Sequence, residues 1–190
     1  MAQTAIYIDL LLKWNARVNL TGVRDPSEMV TRHFGESFFV ARTLLRTGES
    51  STVIDLGSGA GFPGMPMAMF APAANVTLIE SNTRKAAFLK EAVFALKLKN
   101  VAVFSGRAED YRGQASLVVM RAVEKFERSL TLALSLVEAG GRIGLMIGDA
   151  QVEKAKALRP GLAWNEPIDM PSGQSRVLLV GTKVVKVERA

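Results

Sequence analysis

From residue 52 onward short apolar runs alternate with amphipathic stretches, and the first run opens into a loop carrying four glycines in twelve residues, VIDLGSGAGFPG at 53–64. TVIDL (52–56), NVTLIE (75–80), NVAVFSG (100–106), ASLVVMRAV (115–123) and RIGLMIG (142–148) read as strands. They are apolar throughout, as strands buried on both faces of a parallel sheet are. PMAMFA (66–71), SNTRKAAFLKEAVFALKLK (81–99) and EKFERSLTLALSLVEAGG (124–141) read as the helices between them, the second capped by Ser81 or Asn82, the third closed by its glycine pair. A further helix is expected from about 149 to 158. The alternation predicts an α/β fold, an open and mostly parallel Rossmann-like sheet with helices on both faces. Two closing strands, near 163–169 and 175–186, are joined by MPSGQS, too short for a crossover helix. They are expected to pair as an antiparallel hairpin at the C-terminal edge.

The first fifty residues have a different texture. Ile6, Leu10, Trp14 and Val18 recur near helical spacing and predict a core-facing stripe. In RDPSEM, Asp25 as N-cap, Pro26 as first helical residue and Glu28 as third form a capping-box arrangement. A helix is expected from 26 to about 46, broken near Gly35. The chain therefore divides into an N-terminal helical extension, 1–50, and one compact domain, 51–190.

Composition excludes several chemistries. The 190 residues contain no cysteine and a single histidine, His33, which removes disulfides, thiolate nucleophiles and any Cys- or His-rich metal site. No run approaches the roughly 18 apolar residues of a membrane span, and the N-terminus lacks a basic leader, so a cytoplasmic protein is expected. The net charge of +6 favours a polyanionic partner such as nucleic acid.

In parallel sheets of this kind ligands bind beyond the carboxyl ends of the strands, where strand order reverses. Gly57, Gly59 and Gly61 lay the backbone bare there. GAGFPG (59–64) also fits the dinucleotide pattern G-x-G-x-x-G, but the strand ends at Leu56, so the first turn glycine is Gly57, and Pro63 has no N–H to offer a pyrophosphate. Asp55 would repel a pyrophosphate. S-adenosyl-L-methionine carries a sulfonium, an amino group and two ribose hydroxyls instead, and Asp55 suits it directly or through water. Glu80, ending the second strand, suits the ribose hydroxyls, although an acid there serves a dinucleotide equally well.

The methyl acceptor is narrowed by what is missing. Without cysteine there is no thiolate attack on a pyrimidine ring. VVMRAV stands where an NPPY or DPPY motif for exocyclic amines would lie, and no histidine sits at the central strand ends to deprotonate a hydroxyl. A ring nitrogen with a free lone pair remains. Arg121, ending the fourth strand, is the candidate catalytic residue that orients it by gripping O6, a phosphate or the donor carboxylate; a salt bridge with Glu124 is the alternative.

The stretches LLLKWNARVNLTGVRDPSEMVTRHFGES (10–37), VIDLGSGAGFPGMPMA (53–68), GRAED (106–110) and RAV (121–123) together resemble the glucose-inhibited division protein B family, bacterial methyltransferases that modify a guanine of small-subunit (16S) rRNA at N7. The resemblance spans roughly residues 10 to 183. It implies a class I methyltransferase sheet, with donor contacts at Gly57, Phe62, Ala108, Glu109 and Arg121. It implies RNA contacts near the acceptor at Arg107 and Arg176. His33 matches the family's RHF-x-DS stretch, with Glu36 for the aspartate, and is expected to be a structural hydrogen-bonding residue. Asn15 and Asn19, four apart on one helix face, are expected to brace the extension. Ile147 stands where the family has a lysine; either Lys183 or another basic residue compensates, or the site is weaker at this corner. The resulting expectation is a monomeric S-adenosylmethionine-dependent rRNA methyltransferase. A small-molecule methyltransferase and a non-enzymatic RNA-binding assembly protein are the alternatives.

Overall fold

The computed structural model describes residues 2–121, 126–171, 173 and 175–184. The N-terminal region folds as α1 (Ala2–Asn15), a short α2 (Pro26–Glu28), one π-helical stretch (Met29–Gly35) and α3 (Glu36–Leu44), the last three end to end. Asp25 caps α2 by accepting from the Glu28 N–H at 2.8 Å, but only this half of the expected capping box forms, and the Glu28 carboxylate pairs with Arg32 at 2.7 Å. The helix does not break at Gly35; it widens into the π-helical stretch before resuming.

The domain that follows contains β1 (Thr52–Leu56), α4 (Gly64–Phe70), β2 (Asn75–Glu80), α5 (Thr83–Ala95), β3 (Val101–Ser105), β4 (Ala115–Arg121), α6 (Phe126–Ser135), β5 (Val137–Gly148), α7 (Val152–Leu158), β6 (Leu162–Trp164), β7 (Ile168–Asp169) and β8 (Arg176–Lys183). Asn82, the second of the two candidates, caps α5 by accepting from the Arg84 and Lys85 N–H groups. The strands form one sheet ordered β3-β2-β1-β4-β5-β8-β6, with β7 also on β8. β1 to β5 are parallel and β8 runs against β5. Strand order reverses beside β1, so the loop leaving it lies at the switch point of the sheet.

Side-chain parity explains the apolar strands. Val53, Leu117 and Val119 enter a core shared with α1, the π-helical stretch, α3, α4 and α5, while Ile54, Val118 and Met120 enter a second core under α6 and α7. Both faces are covered, so both parities are apolar.

Three local expectations are corrected. In α1 the buried stripe is Tyr7 and Leu11, with Leu10, Trp14 and Val18 partly buried and Ile6 at the surface. IYIDLLLKW is apolar over so wide an arc that its periodicity allows either register. Asn15 ends the helix and Asn19 lies outside it, exposed, so the two do not share a helix face. Asn15 alone braces, accepting from the Leu20 and Thr21 N–H groups and donating to the Thr21 carbonyl. The glycine pair does not close α6, which ends at Ser135. Gly140 (φ +75°) and Gly141 sit in an irregular stretch of β5 between its pairings at Val137 and Arg142. A Cβ on Gly141 would stand 3.1 Å from the Ser116 carbonyl oxygen, so the glycine admits a close strand approach. The closing strands pair antiparallel at the C-terminal edge as expected: β6 and β7 both run against β8, which lies between β5 and β6.

Candidate functional site

The glycine loop is held open from three sides. Gly57, Gly59 and Gly61 all have positive φ (70°, 57° and 82°), a region that side chains with a Cβ enter at a cost. From below, Asp55 Oδ2 accepts the Gly64 N–H at 2.9 Å, and a Cβ on Gly64 would strike that same carboxylate. From the side, Glu80 accepts the Gly59 N–H at 2.8 Å and the Asn82 N–H at 2.7 Å, tying the loop to the start of α5. From above, the buried Tyr7 hydroxyl donates to the Ala60 carbonyl at 2.6 Å and fills the space a Cβ on Gly61 would need. The Tyr7 ring stacks on Phe62 (5.4 Å between centroids), which stacks on His33 (4.8 Å).

Three adjoining cavities follow the carboxyl edge of the sheet. The first, about 340 Å3, is lined by Leu56, Gly57, Ser81, Arg107, Ala108 and Glu109 among others. The second, about 220 Å3, lies over the loop and includes Thr21, His33, Gly57, Phe62, Lys85 and Arg121. The third, about 290 Å3, is lined by Arg32, Arg121, Ile147, Gln151 and Arg176 with apolar neighbours. Gly57 is common to the first two and Arg121 to the last two.

Charge is managed by burial. Asp55 is enclosed, with Oδ1 lacking a hydrogen-bond partner, and burial raises its pKa to about 7 against the stabilising Gly64 N–H. His33 is pushed down to about 4, first by burial, then by Arg121, Arg32 and Arg176, so the ring is neutral at pH 7. Its Nε2 meets Thr21 Oγ1 at 2.8 Å. Arg121 is lowered by burial to about 10 and stays a cation. It pairs with Glu36 at 3.1 Å, and Arg176 pairs with the same carboxylate at 3.0 Å. Glu109 pairs with Arg128 at 2.7 Å across the first cavity.

The sequence-derived site residues therefore divide. Gly57, Ala108 and Glu109 line the first cavity; Gly57, Gly59, Phe62 and Arg121 line the second. Asp55, Gly61 and Glu80 line none of the three. Asp55 has the parity of Val53, which turns it under the loop toward α4, where it braces the turn through the Gly64 N–H. Arg121 finds its partner in Glu36; Glu124 lies outside the described residues. Arg107 and Arg176 fall at opposite ends of the row, on the first and third cavities. Lys183 is misplaced by the sequence reading. β8 runs antiparallel to β5, so Arg176 pairs with Gly148 at the carboxyl edge while Lys183 ends at the amino edge. There its ammonium donates to the Leu134 and Val137 carbonyls, and it cannot replace a lysine at Ile147. Residues that sequence reasoning missed are Tyr7, Thr21, Arg32, Glu36, Lys85 and Arg128. Only Glu36 had a visible signal, its place at the acid of the family's RHF-x-DS stretch.

The loop also passes a test for the methyl donor. A Cβ on Gly59 would meet only the Gly57 carbonyl, at 3.8 Å, so the loop presents bare backbone to open space, and the Arg121 Nη1 is buried without a hydrogen-bond partner beside it. The strand order, the loop and the acid ending β2 define a class I S-adenosylmethionine-dependent methyltransferase. Solved structures agree on the fold. A methyltransferase from Pyrococcus furiosus superposes with a TM-score of 0.68 at 17% identity, covering 95% of this chain and 98% of that one. A SAM-dependent methyltransferase from Aquifex aeolicus gives 0.69 at 16% identity, covering 87% and 97%. Residues 1–170 match the GidB family, described as rRNA small subunit methyltransferase G, and the chain belongs to that family. A ribosomal RNA small subunit methyltransferase G from Roseiflexus castenholzii is 38% identical over 99% of this chain and 85% of its own length. One from Myxococcus xanthus is 40% identical over 78% and 70%.

Proposed function

We propose that this protein transfers a methyl group from S-adenosyl-L-methionine to N7 of a guanine in small-subunit (16S) rRNA. The observation that carries the reading is the row of cavities: a glycine-floored pair for the donor, joined through Arg121 to a third in which three arginines meet apolar side chains. Gly57, Ala108 and Glu109 hold the adenosine end, with Glu80 behind them. Both Glu80 oxygens already accept an N–H, and each keeps a lone pair for a hydroxyl. Bound there, the donor supplies a methyl group on a cationic sulfur.

A ring nitrogen attacks with its own lone pair, so no side chain has to remove a proton. The protein's work is alignment and exclusion of water. Arg121 stands at the junction of donor and acceptor cavities as the residue that orients the base. Arg176 and Arg32 favour the acceptor's phosphate or carbonyl oxygens, and Arg107 meets RNA farther out, beside the donor cavity. His33, neutral and tied to Thr21, acts as a wall. In this reading a cytoplasmic monomer uses residues 1–50 to brace the catalytic domain 51–190. The described helices include none long and apolar enough to cross a membrane.

The test is methylation of 16S rRNA or small subunits with labelled donor, followed by mapping of the product. Arg121→Ala is expected to lower turnover about 10²-fold with the fold intact. Unchanged turnover and donor affinity would remove Arg121 from the site, and absence of N7-methylguanine in the product would overturn the activity.

A further inference from the structure

One carboxylate holds both arginines of the acceptor end. Glu36, the first residue of α3, is fully buried. Its Oε2 lies 3.1 Å from Arg121 Nη2 and its Oε1 lies 3.0 Å from Arg176 Nη1. The same Arg121 nitrogen donates to the Arg32 carbonyl at 3.3 Å. Arg121 ends β4 and Arg176 begins β8, and β5 lies between those strands. Glu36 thus reaches across the end of β5 to fix two cations that the sheet alone does not bring together.

The helix is built to deliver it. The stretch from Met29 to Gly35 is π-helical and Glu36 follows directly. A π turn adds one residue to an α-helical path, which rotates everything after it by about 100°. In an uninterrupted α-helix Glu36 would leave the cavity side.

We propose that Glu36 is a positioning residue for methyl transfer. It does not touch substrate. It sets the planes of the Arg121 and Arg176 guanidinium groups so that their remaining N–H groups serve the third cavity, which both residues line. Two cations share one anion, so the pair keeps an excess positive charge for an incoming phosphate or base oxygen. An amide in the same place carries no charge and puts a donating NH2 where one guanidinium now meets an accepting oxygen. The inference rests on the site reading given above.

The experiment is steady-state methylation of small-subunit rRNA by the wild type, Glu36→Gln, Glu36→Asp, Arg121→Ala and the Glu36→Gln/Arg121→Ala double variant. Glu36→Gln is expected to lower kcat about 10²-fold, as small misplacements of an orienting group do. Donor affinity by calorimetry should stay near wild type, and Glu36→Asp should recover much of the rate. In the Arg121→Ala background Glu36→Gln should add little further loss, a coupling that a residue merely holding the helix would not show. A folded Glu36→Gln protein with wild-type kcat and RNA KM overturns the proposal, as do losses that simply add in the double variant. If Glu36→Gln unfolds at the assay temperature, the kinetics are compared at a lower temperature at which it is folded, and wild-type kinetics there overturn the proposal. If the wild type fails to methylate rRNA, the activity reading falls by itself. Guanidinium 15N NMR then decides on Glu36: perturbed Arg121 and Arg176 signals in Glu36→Gln support its role, and unchanged signals reject it.

Discussion

Two buried residues, Asp55 and His33, pull stability in opposite directions with pH. Folded Asp55 keeps its proton up to about pH 7, while the unfolded residue releases it near 3.8. Its contribution is therefore full below that lower value and is lost as pH rises through about 7. Folded His33 stays neutral down to about pH 4, whereas the unfolded ring protonates near 6.5, so its contribution is full above 6.5 and is lost as pH falls toward 4. Urea melts across this interval should show stability rising with pH more steeply in Asp55→Asn and falling with pH in His33→Gln. Parallel pH profiles for the wild type and both variants would contradict the buried environments. Gly61→Ala combines a positive φ with overlap against Tyr7. It should cost about 1–3 kcal/mol or more in the same melts, with weakened donor binding. At this scale the three glycines were legible because only backbone freedom explains such a cluster. The task of Asp55 was not, since its direction depends on which side of β1 receives α4.

Among the elements, α1 is the unexpected contributor to the donor loop. Tyr7→Phe keeps the ring stack but leaves the buried Ala60 carbonyl without its donor, at a cost of about 1–3 kcal/mol. Calorimetry should then show weaker S-adenosylmethionine binding. A variant with wild-type stability and affinity would remove Tyr7 from the loop's support. Lys183→Met tests the place of Lys183 at the amino edge of the sheet. It should lower stability by about 1–2 kcal/mol, because the Leu134 and Val137 carbonyls lose an ammonium, while RNA affinity holds. The β1-to-β5 alternation was readable because each strand is apolar on both parities. The register of α1 and the break in β5 were not. A wide apolar arc permits two stripes, and a glycine pair marks either a helix end or a strand irregularity until its neighbours are known.

For the molecule as a whole, the surplus of cations decides how a polyanion is met. Binding to small-subunit rRNA should weaken with salt, with a log–log slope of about −2 or steeper, since the third cavity alone offers three arginines. Donor binding measured in parallel should change little. A flat response for RNA would point to a small, uncharged acceptor. The charge and the loop made this legible from composition and motif, but not the meeting of Glu36, Arg121 and Arg176. Those residues are separated by 85 and 55 positions in the chain, and only the sheet order brings them together. That order also has a consequence for biosynthesis. β8, which carries Arg176, is the last described strand to be translated, yet it occupies an interior place in the sheet. Until it leaves the ribosome, β5 presents an open hydrogen-bonding edge and the acceptor cavity lacks one of its cations. Docking of β8 therefore covers that edge of β5 and brings Arg176 to the third cavity in the same late step.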